Sequence, residues 1–168
     1  MNVSDAIRNR RSIRHYQEGI EIPPEKIRLI LEAAMMAPSA RNSRPWEFFV
    51  ITDPEIKQQL VEFHPYAKHL LQASIGIVVC GMPQSQDEIL HGFWPQDCAA
   101  AVQNILLQAL DLGYGSCWCG IYPEKARSQA FQRILKTKSI PLALITIGVA
   151  KEHPERRGFY DEQRVTFL

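Results

Sequence analysis

The run Ser74 to Met82, centred on Ile75-Gly76-Ile77-Val78-Val79-Cys80, constrains the fold more than any other stretch. It is continuously apolar and rich in β-branched residues, with no face to offer water, so it reads as a strand buried on both sides. Such a strand needs neighbours in a sheet and helices over each face. The chain supplies both. Trp46 to Thr52 and Leu142 to Ala150 read as further strands, Gly115 to Gly120 reads as a short extended segment, and helical patterns fill the intervals.

At the N-terminus Ser4 or Asp5 is expected to cap a helix through about Arg10, with Ile7 inward. Pro23-Pro24-Glu25 opens a second, with Ile27, Ile30, Leu31, Ala34 and Met35 at helical spacing, and it must stop before Pro38. Asp53-Pro54-Glu55 starts another, with Ile56, Leu60 and Val61 inward, and a short helical piece follows around Tyr66 to Leu71. Pro123 is read as starting the last, through about Leu135. Gln96 to Leu112 stands apart, because Ala99, Ala100, Val102, Ile105, Leu106, Ala109 and Leu110 cover most of its circumference. A helix apolar on more than one side is either central to a core or shared with another subunit. Residues 83 to 95 are the least regular and are expected to form a mobile loop over a site, with Phe93 and Trp94 against a flat ligand or against the core. The pattern is α+β, a layered α/β protein built as one domain over residues 1–168.

With 19 Lys plus Arg against 18 Asp plus Glu the formal charge is +1, which argues against a nucleic-acid binder working through a broad basic surface. No apolar run is long enough to span a membrane and no leader pattern opens the chain, so a cytoplasmic protein is expected. The Cys117-x-Cys119 pair lacks a second ligand pair and the histidines show no metal spacing, so reduced thiols and no metal are expected. Neither a G-x-G-x-x-G fingerprint nor a P-loop follows a strand.

Against this near-neutral background Arg8-Asn9-Arg10-Arg11-Ser12-Ile13-Arg14 packs four guanidinium groups into seven residues. Arginine offers a planar fork of donors that suits phosphate and stays charged at any working pH, so a compact phosphate is the natural partner. Pro38-Ser39-Ala40-Arg41-Asn42-Ser43-Arg44-Pro45, set directly before a strand, reads as a functional loop.

Arg10-Arg11-Ser12-Ile13-Arg14, Pro38 to Trp46, and Gly113-Tyr114-Gly115-Ser116-Cys117-Trp118-Cys119-Gly120 together, in that order and spacing, resemble the signature of FMN-dependent nitroreductases. The resemblance runs from about Ala6 to Arg164. It implies a central mixed sheet flanked by helices and a homodimer with two shared FMN sites. By analogy Arg10, Arg11, Ser12 and Arg14 hold the phosphate and ribityl chain, with Arg156 or Arg157 contributing from behind the last strand. Ser39 and Asn42 come from the other subunit and reach the pyrimidine edge or the ribityl hydroxyls, and Pro38 lines the ring. Trp46 is read as a core anchor. Cys117, Trp118, Cys119 and Gly120 pass along the flavin, with a backbone N–H near Gly120 offered to N5; Cys119 stands where many members carry an acidic residue. No side chain of the protein is catalytic in this scheme. NADH or NADPH reduces the flavin, and a nitroaromatic, quinone or similar small-molecule acceptor reoxidises it in a ping-pong cycle. Rival readings are a specialised member, such as a dehalogenase or flavin-cleaving enzyme, and a flavin-binding protein without turnover.

Overall fold

The computed structural model describes residues 1–83 and 92–168, so most of the loop expected at 83 to 95 lies outside the described residues. In chain order the elements are α1 (Val3–Asn9), α2 (Pro24–Met35), β1 (Trp46–Ile51), α3 (Pro54–Phe63), β2 (Ile75–Gly81), α4 (Trp94–Asp111), β3 (Gly115–Gly120), α5 (Lys125–Leu135) and β4 (Ile140–Gly148). Short 3-10 turns cover Ala40–Asn42, Pro65–Leu71 and Glu162–Arg164.

The four strands lie in the order β1-β2-β4-β3. Every neighbouring pair among them is antiparallel; the parallel component is a bridge between Ser12 and Ser116 on the outer edge of β3. The apolar run is a central strand, buried along its whole length. Its alternation sorts the layers: Ile75, Ile77 and Val79 join Ile30 and Ala34 of α2 and Val102, Ile105 and Ala109 of α4. Val78 and Cys80 face the opposite way, into a cluster with Leu60 and Val61 of α3, Leu70 and Phe131 of α5. Helices therefore cover both faces, as a strand without a polar side requires.

Local corrections have simple causes. Asn2, not Ser4 or Asp5, caps α1 by accepting from the Asp5 N–H, so Ala6 is buried while Ile7 is 58% exposed. In α2 the inward face is Ile30 and Ala34, and Met35 is exposed at the helix end. Pro123 does not open α5; it follows a cis peptide, and the Glu124 carboxylate caps the helix by accepting from the N–H groups of Ala126 and Arg127. Trp94 starts α4 and is buried, edge-on to Tyr122, while Phe93 is exposed. Trp46 is buried in the core, as expected.

Lys57 interrupts the apolar stripe of α3. Its stem is buried and its ammonium donates to the Ala73 and Ser74 carbonyls at 2.8 and 3.0 Å, closing the chain just before β2. No helix among the described residues is long and apolar enough to cross a membrane.

Candidate active site

β3 is an edge strand, and the arginine segment lies along its open side. Ile13 N–H donates to the Ser116 carbonyl at 2.9 Å. Gln17 N–H donates to Val149 and Lys151 N–H to His15, both at 2.9 Å, so residues 12 to 17 run between β3 and the chain leaving β4. Tyr16 pins this seam from below: its buried hydroxyl donates to the Ile13 carbonyl at 2.7 Å and lies 2.8 Å from Thr146 Oγ1. Burial pushes that phenol well above its ordinary value. A local Arg-rich turn is thereby fixed to two distant parts of the chain.

Glu152 completes the clamp by accepting from the Arg14 N–H at 2.5 Å and the His15 N–H at 3.2 Å. The Arg14 hydrogen bond, ahead of the His15 bond, holds its carboxyl below the usual carboxylate range. The arginines then divide. Arg11 Nε donates to the Glu155 carbonyl at 2.9 Å and its Nη1 to Arg10 O at 2.5 Å, so much of that side chain serves to tie down the tail. With Arg10, Ser12, Arg14 and Arg157, Arg11 lines a cavity of about 450 Å³, with Glu152 and Glu155 in the wall. Arg156 and Arg8 are exposed, and neither lines this cavity.

Arg14 also borders a second cavity, of about 520 Å³, whose wall carries His69, Cys117, Trp118, Cys119 and Gly120. The alternation of β3 turns both cysteines into the buried layer and leaves Trp118 38% exposed. Because the Ile121 N–H turns inward to Leu142, the N–H and carbonyl of Gly120 point to the unpaired edge. That carbonyl accepts from His64 Nε2 at 2.9 Å and Arg127 Nη1 at 3.0 Å. A Cβ built on Gly120 meets nothing within 4 Å, so the space over this residue is open. His64 Nδ1 and Arg127 Nε are buried without a partner among the described residues. Burial, then the charge of Arg127, lowers the pKa of His64 and keeps the ring neutral at physiological pH. Cys117 is held well below the ordinary thiol range, foremost by the hydrogen bond from Cys119, which in turn is pushed up.

The loop at 38 to 45 goes elsewhere. Pro38, Ser39 and Asn42 line neither cavity. Ser39 Oγ accepts from the Arg44 N–H and Asn42 Oδ1 from Arg44 Nε, each at 2.9 Å, while the Ala40 N–H donates to Asp97 near the start of α4. Arg41, Asn42 and Arg44 all take positive φ, a costly backbone for side chains other than glycine and one concentrated at functional sites. One chain thus brings Arg10, Arg11, Ser12, Arg14, Arg157 and Cys117 to Gly120 onto one continuous surface, and leaves Pro38, Ser39 and Asn42 off it. Glu152, His64, His69 and Arg127 are the site residues that reading the sequence missed. Glu152, His64 and His69 reach the site from remote segments, and Arg127 folds back from seven residues beyond Gly120.

A model of the nitroreductase family matches residues 7–74 and 64–149. A Methanothermobacter thermautotrophicus protein described as an NADH dehydrogenase/NAD(P)H nitroreductase is 42% identical, covering 98% of this chain and 86% of that protein. A crystal structure of a similarly described protein from Bacteroides thetaiotaomicron superposes with a TM-score of 0.90 at 35% identity, covering 98% of this chain and 95% of the other. An FMN-dependent nitroreductase from Clostridium difficile superposes with a TM-score of 0.87 at 30% identity, over 98% of both chains. The family match across the sheet and the arginine segment, with these relatives over nearly the whole length, makes this chain a member of the nitroreductase family.

Proposed function

We propose that this chain is an FMN-dependent NAD(P)H oxidoreductase, acting as a single domain in the cytoplasm and passing electrons to nitroaromatic, quinone or similar small acceptors. The observation that carries this reading is the continuity of the two cavities through Arg14, which joins a guanidinium cluster to the open edge of β3 at Gly120. A phosphate at one end and a flat heteroaromatic ring at the other match that surface. The donor set fits the group: Arg10, Arg14 and Arg157 line a cavity with room for a phosphate, Ser12 adds a hydroxyl, and a Cβ on Gly120 would meet nothing within 4 Å, leaving space over that residue.

When bound, FMN supplies the hydride chemistry at its N5, taking reducing equivalents from NADH or NADPH and passing them to the acceptor in a ping-pong cycle. The chain contributes position and charge. Arg10, Arg14 and Arg157 hold the phosphate, and Arg14, placed between the cavities, also sets positive charge toward the ring. His64 and Arg127 hold the Gly120 carbonyl at the end of β3. Anaerobic addition of NADH or NADPH to the FMN-loaded protein should bleach the flavin bands, and a nitroaromatic or quinone should restore them. A yellow protein that neither nicotinamide bleaches would overturn the assignment.

The working unit is a homodimer in this reading, with the second copy's Pro38, Ser39 and Asn42 completing each site. Support comes from the helix surface that one chain leaves uncovered: Ala99, Ala100, Leu107 and Leu110 of α4 are only partly buried, beside exposed Val3, Ile7 and Met36. Mixing inactive Arg10→Ala and Asn42→Ala variants tests it. Random subunit exchange makes half the dimers mixed, each with one intact site, so about a quarter of wild-type activity should return. No recovery after verified exchange would show that the sites are not shared.

A further inference from the structure

His69, Cys117 and Cys119 line the second cavity and form a cluster whose thiols and imidazole have no chemical task in the oxidoreductase reading. One nitrogen of His69 and the two Sγ atoms all lie within 4.8 Å of one another. We propose that these three residues form a Cys2His site for a thiophilic d10 cation, of which Zn²⁺ is the test case, with the fourth position open to the cavity. The proposal rests on side-chain geometry and needs neither flavin nor turnover.

The fold assembles what spacing conceals. Cys117 and Cys119 sit two apart on β3, so both thiols leave the same face of the strand. His69 arrives from the 3-10 turn Pro65–Leu71, 50 residues from Cys119, and its Nε2 lies 3.4 Å from the Cys119 sulfur. With Zn–S bonds of about 2.3 Å and Zn–N bonds of about 2.0 Å, a tetrahedral centre sets its donors roughly 3.5 to 3.8 Å apart. The nitrogen and one sulfur already have that spacing, and the widest separation needs to close by about 1 Å. Small side-chain rotations supply it.

A disulfide is the poorer use of the pair. Residues two apart on an extended strand hold their Cα atoms roughly 6.7 Å apart, near the upper limit for a bridge, and β3 is held in register by its pairing with β4. Both thiols are free. The ion would have an approach path as well, since all three residues line the 520 Å³ cavity. Arg14 and Arg127 border that cavity, so a lone cation would be repelled; two thiolates neutralise Zn²⁺ and remove that objection. On binding, two S–H protons pass to solvent as two S–Zn bonds form, and His69 donates the lone pair of a neutral ring nitrogen.

The test is a competition titration of the purified, thiol-reduced chain with Zn²⁺ against a chromophoric chelator, without added FMN. One ion per chain is expected, with affinity at least 100-fold lower in Cys117→Ser and Cys119→Ser and at least 10-fold lower in His69→Gln. Cys98→Ala, whose sulfur lies buried in α4 against the Pro45 and Cys80 carbonyls, should bind as wild type does. Because a cysteine variant could fail to fold, a second measurement uses wild type alone: Zn²⁺ should slow alkylation of Cys117 and Cys119, read by peptide mass mapping. Binding no tighter in wild type than in folded variants, or alkylation of both thiols at an unchanged rate, would overturn the site. Since FMN is absent from the assay, either failure leaves the flavin assignment untouched.

Discussion

Replacing Arg10 and Arg14 together by alanine should weaken FMN binding by roughly a hundredfold to ten-thousandfold, while riboflavin, which lacks the phosphate, loses far less. A hydrogen bond to a charged group contributes about 1.5 to 3 kcal/mol, so two guanidinium groups account for about 3 to 6 kcal/mol of binding. Each factor of ten in Kd is about 1.4 kcal/mol. Among the described residues neither side chain is tied up: Arg14 engages Glu152 through its backbone N–H, and its guanidinium is left to face both cavities. Arg11 behaves differently, because its donors already hold the Glu155 and Arg10 carbonyls. Its alanine variant should cost less FMN affinity, under about tenfold, and act mainly by releasing residues 152 to 157. Titration of FMN and riboflavin into the flavin-free proteins, followed by fluorescence, separates these outcomes, with circular dichroism as the check on folding. Equal losses for the two ligands would mean that the arginines do not hold the phosphate.

That difference between neighbouring arginines shows where sequence reading stops. The heptad advertises charge, and its interest in an anion follows from composition alone. That the Arg11 guanidinium is engaged is decided by the Glu155 carbonyl, 144 residues further on, through a contact that leaves no local trace. The same division runs through the fold. The β2 run forecast a central strand and two helical layers because a strand without a polar face has no other stable place, and the structure has it there. Element ends were less legible. Asn2 competes with Ser4 and Asp5 as a cap, and Glu124 outdoes Pro123 as the start of α5, because a cap is settled by which carbonyl or carboxylate meets the free N–H groups. His64 and His69 had no visible role in the sequence because each is brought to β3 by tertiary packing over 50 residues or more. The reading of Ser39 and Asn42 came from resemblance, and one chain puts them away from the arginines, so their role stands or falls with the second subunit.

Two glycine substitutions separate folding from function in this sheet. Gly81→Ala should destabilise the protein by about 3 kcal/mol, lowering Tm by roughly 6 to 12 °C, although it adds one methyl group far from the arginines. A Cβ on Gly81 falls 2.0 Å from Trp94 Cε3 and 2.7 Å from two more atoms of the same indole. Neither partner yields cheaply. Gly81 is paired with Trp46 on one side and Ile140 on the other, so β2 cannot shift without disturbing both ladders. Trp94 is buried at the start of α4, edge-on to Tyr122 with ring centroids 4.9 Å apart, so moving the indole breaks that contact. Displacing the first turn of α4 also moves Asp97, which accepts from Ala40 in the loop carrying Ser39 and Asn42. A second substitution, Trp94→Leu in the Gly81→Ala background, should regain part of the lost stability by freeing the space. Gly120→Ala is the counterpart. Its Cβ meets no protein atom within 4 Å, so its Tm should stay within about 2 °C of wild type while FMN binding weakens, the methyl group standing where the ring must approach. Thermal melts and flavin titrations of the two variants should therefore move in opposite columns: a Gly81→Ala protein as stable as wild type would refute the packing argument, and a Gly120→Ala protein with undiminished flavin affinity would move the ring away from the edge of β3.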